Sequence, residues 1–190
     1  MPLLGPLDPL PRPHRVLVAG TSGSGKTTLA RRVSALTDIG HTELDALHHG
    51  PQWTPRPEFL DDVRALVAGP TWITELQYGT ARPLLLERAD TLVWLDLPRR
   101  TVMRQLVART LRRRLRREVL WNGNVEPPLH TFLTDRDHVV RWGWRGHGRT
   151  AARVDDARVA HPGLVVVRLR SHREADAWLA GPLTDATRGG

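Results

Sequence analysis

An α/β fold with a parallel sheet covered on both faces is predicted by the alternation of short apolar runs with stretches of helical periodicity. A glycine-rich loop that closes the first apolar run and opens the first helix points the same way. At 190 residues the chain has the length for one such domain with a full core.

The first run, Val16, Leu17, Val18 and Ala19, suits a buried strand, and Leu29, Ala30, Val33 and Leu36 then recur at helical spacing. Residues 41–44 read as a second strand ending at Asp45. Residues 57–68 read as a helix, with Pro57 in its first turn and Gly69 just past its end. Residues 72–75 form a third strand and 91–96 a fourth. A long helix from residue 99 to about 120 carries Val102, Met103, Leu106, Leu111, Leu115 and Val119 on its apolar side. Another helical stretch covers much of 134–158, and 163–169 is a fifth strand. Ser171 with Glu174 makes a capping box that opens a last helix, running to Leu179 and stopped by Gly181. The first thirteen residues hold five prolines and read as a loose tail, as do residues 182–190, which leaves 14–181 as the domain.

The loop itself is the strongest signal. Gly20, four residues, then Gly25, Lys26 and Thr27 complete the G-x-x-x-x-G-K-[ST] phosphate-binding pattern, between strand and helix as its chemistry requires. Backbone N–H groups and a helix N-terminus converge there on phosphate oxygens. Gly20, Ser22, Gly23, Ser24, Gly25, Lys26, Thr27 and Thr28 are the expected nucleotide contacts. Lys26 is the only lysine among 28 basic side chains. Its compact ammonium reaches the β- and γ-phosphates, where the wide guanidinium fork fits less well. Thr27 offers its hydroxyl to Mg²⁺.

The net charge of +8 invites a nucleic-acid reading, but near-total replacement of Lys by Arg looks like a genome-wide codon bias and weakens it. No cysteine is present, which excludes disulfides and thiolate chemistry and fits a cytoplasmic protein. No apolar run approaches the roughly 18–20 residues of a membrane span, and the proline-rich start lacks the pattern of a signal peptide.

The segments GTSGSGKTTLA, ELDALHHGPQWTP, WITELQYG, RADTLVWLDLPRR and LWNGNVEP resemble the adenylate-kinase-related P-loop proteins labelled DNA topology modulation protein or AAA-family ATPase. The resemblance spans roughly residues 15–180. It implies a P-loop NTPase fold of nucleoside-monophosphate-kinase type: a five-stranded parallel sheet ordered 2-3-1-4-5, flanking helices, and an arginine-rich helical lid over about residues 99–158. It also implies ATP with Mg²⁺, and leaves the acceptor open because fold does not settle function.

Two carboxylates compete for the Mg²⁺-bound water. Kinases of this fold place the acidic residue at the end of the third strand. There many relatives carry Asp-Gly-Asn-Tyr, where this chain has Glu75, Leu76, Gln77 and Tyr78. Glu75 is favoured over Asp96, which ends the more apolar fourth strand just before Pro98. Asp45, at the end of the second strand, matches the aspartate that orients or deprotonates an acceptor hydroxyl in related kinases; capping the next segment is the other role open to it. His48 and His49 follow, a weak zinc signal without a third ligand, and are expected with Trp53 to line an acceptor pocket.

Nine arginines fall between residues 99 and 117 with no acidic residue among them, and Arg136, Arg141, Arg145 and Arg149 follow. By resemblance Arg104 and Arg109 occupy the lid, while one family arginine position is Gln105. Arg82 and Arg88 are candidates for an acceptor phosphate. Trp142 and Trp144, amid arginines, suit base stacking or core packing. Two function classes follow. The favoured one is an ATP-dependent kinase for a small nucleotide-like or hydroxylated acceptor, with Lys26, Asp45, Arg104 and Arg109 carrying the chemistry. The other is a nucleotide-dependent regulator or nucleic-acid-associated ATPase. The oligomeric state stays open.

Overall fold

A strand buried on both faces must be apolar throughout, and residues 16–19 meet that demand. Val16 and Val18 enter one core, while Leu17 and Ala19 enter the other. The structure is a computed structural model that describes residues 3–116 and 139–188, apart from the side chains of 113–116 and 139–147. Its strands, in chain order, are β1 (Leu3–Leu4), β2 (Arg15–Gly20), β3 (Trp72–Glu75), β4 (Thr91–Leu95) and β5 (Val165–Leu169). They form one parallel sheet in the order β1-β5-β4-β2-β3.

The helices are α1 (Lys26–Thr37), α2 (Leu44–His48), α3 (Phe59–Ala68), α4 (Arg82–Arg88), α5 (Arg99–Arg116), α6 (Val139–Ala160), α7 (His172–Trp178) and α8 (Thr184–Arg188). One core joins Leu29, Ala30 and Val33 of α1 to Trp178 and Leu183 near the C-terminus. The other joins Leu44, Phe59, Val63 and Leu85 to Val154 and Ala157 of α6. An α/β fold with a five-stranded parallel sheet is therefore present.

The strand order differs from the expected 2-3-1-4-5. The strand expected over residues 41–44 reduces to a single bridge between His41 and Ile73. Leu44 is fully buried and starts α2, so the chain leaves the sheet edge after Thr42 N–H bonds the Ile73 carbonyl at 2.9 Å. Asp45 consequently sits in the first turn of a short helix, not at a strand end. It does not cap that helix, because Glu43 occupies the N-cap position.

The fifth strand comes instead from the N-terminus, where Leu3 and Leu4 pair with Val166 and Val167. Leu4 and Leu10 also pack on the first core, which is why a segment read as a tail joins the sheet. At the other end Gly181 does not stop the last helix. A π-helical turn over Leu179–Leu183 carries the chain through Pro182 into α8, anchored by buried Pro182 and Leu183. The capping box does form: the Ser171 hydroxyl accepts from Glu174 N–H at 3.1 Å, and Glu174 accepts from Arg170 N–H at 2.7 Å.

Candidate active site

The loop after β2 adopts the conformation that its glycines allow. Gly23 and Gly25 have φ of 86° and 94°, the left-handed region. A Cβ on Gly23 would lie 2.8 Å from Cβ of Leu106, so α5 packs directly on the loop. Gly25 is the N-cap of α1 and has no side chain to satisfy the first N–H groups, which leaves that helix end open to an anion. Lys26 Nζ reaches the Thr21 carbonyl at 3.4 Å. Burial depresses its pKa, Glu75 and Asp45 offset part of that, and Arg109 adds to the depression. Three charged groups, from α2, the end of β3 and α5, thus act on the Lys26 ammonium at the carboxyl end of β2.

Glu75 is 1% exposed, and its Oε1 lies 3.3 Å from His41 Nε2. Burial alone would raise its pKa. The hydrogen bond and charge of His41, the Thr27 hydroxyl and the Lys26 ammonium outweigh burial and hold it below the usual range. Among the described residues Oε2 nevertheless has no hydrogen-bond partner, and neither does the buried Ser24 hydroxyl. Unsatisfied buried acceptors of this kind demand an explanation, an ion or water among them. A charged carboxylate with one open oxygen beside the Thr27 hydroxyl fits a Mg²⁺-bound water.

Asp96 is differently placed. Its Oδ2 accepts from Arg168 Nε at 2.8 Å and from the same guanidinium's Nη2, and Arg168 lies over the Trp94 ring at 4.7 Å. This carboxylate ties β4 to β5. Asp96→Asn is expected to cost about 1–2 kcal/mol of stability, the worth of a partly exposed charged hydrogen-bond pair, and to leave the Mg²⁺ dependence of turnover unchanged. Denaturant melts and Mg²⁺ titrations check both parts.

On the far side of the loop, Asp45 meets the turn that follows β3. Tyr78 Oη donates to Asp45 Oδ1 at 2.5 Å and lies 3.0 Å from His49 Nε2. The Tyr78 ring stacks on His48 with centroids 4.0 Å apart, and Phe59 stands edge-on to both. His49 stands edge-on to Trp53 at 5.1 Å. Asp45, His48, His49 and Trp53 therefore gather in one place. Among the described residues no group of three His, Asp or Glu could hold a metal ion, so the histidine pair belongs to no such group.

Tyr78 is the residue that pattern reading missed as a site. The signal was available, since a tyrosine three positions past Glu75 stands where the resembling family also has one.

The arginines divide. Arg109 acts on Lys26 and so belongs to the site, whereas Arg104 is exposed on α5. Gln105 Nε2 contacts His172 Nε2, and His172 stands 3.9 Å from where a Gly25 Cβ would be. Arg82 folds over Gly79, and its charge together with that of Arg149 adds to the burial that depresses the pKa of Arg153. Arg88 is not brought in. It is exposed in the last turn of α4, which runs back towards the start of β4, at the opposite end of the sheet from Gly20. Thr28 is exposed on α1. Arg117, Arg136 and the LWNGN segment lie outside the described residues, as do the side chains of Arg113, Arg116, Arg141, Arg145, Trp142 and Trp144. No helix among the described residues is long and apolar enough to cross a membrane.

A glycine loop between a central parallel strand and a helix, with lysine and threonine at its end, defines a P-loop nucleotide-binding protein. No protein-family model matches the chain, and no curated protein matches it. Among solved structures it is similar to a gluconokinase from Sinorhizobium meliloti 1021, with 19% identity over 90% of this chain and 94% of that one and a TM-score of 0.50. A shikimate kinase from Aquifex aeolicus gives 11% identity, coverages of 87% and 91%, and a TM-score of 0.49. At 19% identity the likeness to the gluconokinase is one of fold: the chain has the P-loop kinase fold. The finer resemblance to DNA topology modulation proteins has no counterpart in these comparisons.

Proposed function

We propose that this chain transfers the γ-phosphoryl group of ATP to a hydroxyl of a small acceptor. One observation carries the reading. Lys26, Glu75, Asp45 and Arg109, from four separate elements, meet electrostatically at the mouth of the phosphate loop. That is what phosphoryl transfer needs, because the reaction is mostly positioning and charge neutralisation. The loop N–H groups and Lys26 hold the β- and γ-phosphates. Arg109 offsets charge that develops on the transferred group. Asp45 orients the acceptor hydroxyl and receives its proton as the new O–P bond forms. The bond from the γ-phosphorus to the bridging oxygen breaks, and ADP leaves with that electron pair. Thr27 and Glu75 would hold Mg²⁺, Glu75 through a bound water. Such a metal neutralises phosphate charge.

The acceptor pocket lies between α2 and the turn after β3, walled by His48, His49 and Trp53. Arg82 stands beside Arg149 and Arg153, a like-charged group that suits an acceptor with an anionic substituent. The fold that this chain shares with a gluconokinase supports an acceptor of the hydroxylated, anionic kind. An ADP-release screen over nucleosides, nucleoside monophosphates and small hydroxy acids, run with and without added DNA and RNA, tests the proposal. Release that depends on a small acceptor, and that Asp45→Asn lowers about a hundredfold or more, is the expected result. Release that responds only to nucleic acid would replace the kinase with the nucleic-acid-associated ATPase.

A further inference from the structure

The turn after β3 holds a backbone conformation that needs a cause. Tyr78 has φ of 48°, the left-handed region, which is an outlier for a bulky side chain. A glycine would adopt it at no steric cost, and Gly79 stands one residue away. The side chain must therefore supply what the backbone loses. Its ring is clamped between His48 and Phe59, and its hydroxyl meets Asp45 and His49.

Hydrogen counting fixes the direction of these bonds. Ionised Asp45 can only accept, so the single Tyr78 hydroxyl hydrogen points to Asp45 Oδ1. The Tyr78 oxygen must then accept from His49, which places the His49 proton on Nε2. His49 Nδ1 lies 3.4 Å from His48 Nδ1. The chain His49, Tyr78, Asp45 thus runs one way and ends on one oxygen of the carboxylate. No other hydrogen bond reaches the Asp45 side chain among the described residues.

We propose that Tyr78 is a positioning residue for Asp45. It holds Oδ1 by its hydroxyl so that Asp45 offers Oδ2 to the acceptor hydroxyl. The inference rests on the kinase reading above and adds to it how the base is oriented. The backbone of Tyr78 supports the same geometry, since its carbonyl accepts from Ala81 and Arg82 N–H and ties the turn to the start of α4. Burial first, then the charge and hydrogen bond of Asp45, then the charge of Glu75 raise the Tyr78 pKa well above its ordinary value. His48 and His49 on the α2 side, Lys26 from α1 and Glu75 from β3 are the other titratable or charged groups that act on the pair, and Arg82 of α4 stands beside Gly79.

Tyr78 is the chain's only tyrosine, so no other phenol contributes to the change in absorbance on its ionisation, followed at about 295 nm as a difference from Tyr78→Phe or from neutral pH, with circular dichroism reporting the fold. In the full chain the phenol is expected to stay protonated well beyond pH 10, and Asp45→Asn to bring its midpoint down by about one unit or more. A phenol that titrates near 10, or one that Asp45→Asn leaves unmoved, overturns the inference. This arm keeps Tyr78 in place, so it survives a failure of Tyr78→Phe to fold.

The second arm is turnover, measured as ADP release from ATP with Mg²⁺ and the best acceptor of the screen, or water if none is found. Tyr78→Phe keeps the ring and is expected to lower kcat about tenfold, with KM for ATP unchanged. A merely structural residue would lower thermal stability and leave kcat per folded molecule intact, and that result overturns the proposal. Depressed turnover in Asp45→Asn with wild-type turnover in Tyr78→Phe removes this inference alone. Wild-type turnover in Asp45→Asn removes both it and the role of Asp45 in the kinase reading.

Discussion

Replacing Lys26 by Ala should lower turnover by a factor on the order of 10²–10³, the usual cost of deleting one charge-stabilising group from a phosphoryl or oxyanion site. Lys26→Arg should fall between that variant and the wild type. The guanidinium keeps the charge but brings a planar fork to a place where Nζ lies 3.4 Å from the Thr21 carbonyl. The fold should not suffer. Burial depresses the lysine pKa below its ordinary value of 10.5, and the neighbouring carboxylates recover only part of that. A group with a depressed cationic pKa costs stability in full below the depressed value, and the cost fades as pH rises from that value to the ordinary 10.5. Lys26→Ala should therefore melt at or above the wild-type temperature without nucleotide, and gain less from added ATP. Unchanged ATP affinity and turnover in that variant would remove the foundation of the kinase reading.

The second large effect is expected at Glu75. Glu75→Gln should reduce Mg²⁺-dependent turnover about ten- to a hundredfold, as losing an outer-shell carboxylate does at other metal sites. It should also raise the Mg²⁺ concentration needed for half-maximal rate. Stability gives an independent readout. The folded carboxylate has a depressed pKa, so its contribution is present above the ordinary value of 4.5 and is lost as pH falls through the folded value. Wild type should lose that component on acidification, and Glu75→Gln should lack it at every pH. If Asp96→Asn proves the more damaging to Mg²⁺ dependence, the metal role passes to Asp96.

Among the carboxylates, local pattern reached as far as naming candidates. Glu75 ends β3 and Asp96 directly follows β4, and the resemblance alone favours the first. What separates them is a partner that no spacing rule predicts. Arg168, 72 residues from Asp96 in the chain, occupies Asp96 across the β4–β5 pair. Glu75, by contrast, retains a buried oxygen with no partner among the described residues. Asp45 lies not at the strand end that its local pattern suggests but in a helix, since the residues around it leave the sheet after one bridge and form α2. The arginines were the least legible. Arg82 and Arg88 look equivalent in the sequence, yet they sit at opposite ends of a seven-residue helix, and Arg82 folds back over Gly79 while Arg88 is exposed in the last turn.

Local chemistry decided the phosphate loop and most of the sheet. Glycine dihedral freedom, a lone lysine, buried apolar runs and helical periodicity act over a few residues, so each is readable in one window of sequence. Three other features depended on contacts between distant segments: a proline-rich N-terminus that pairs as β1, a C-terminal helix that continues past Gly181, and the Tyr78–Asp45 pair. Each is held by burial or by a hydrogen bond whose partner lies far along the chain. Such contacts are set by packing against a core that exists only once the sheet is assembled, and so they belong to the tertiary structure alone.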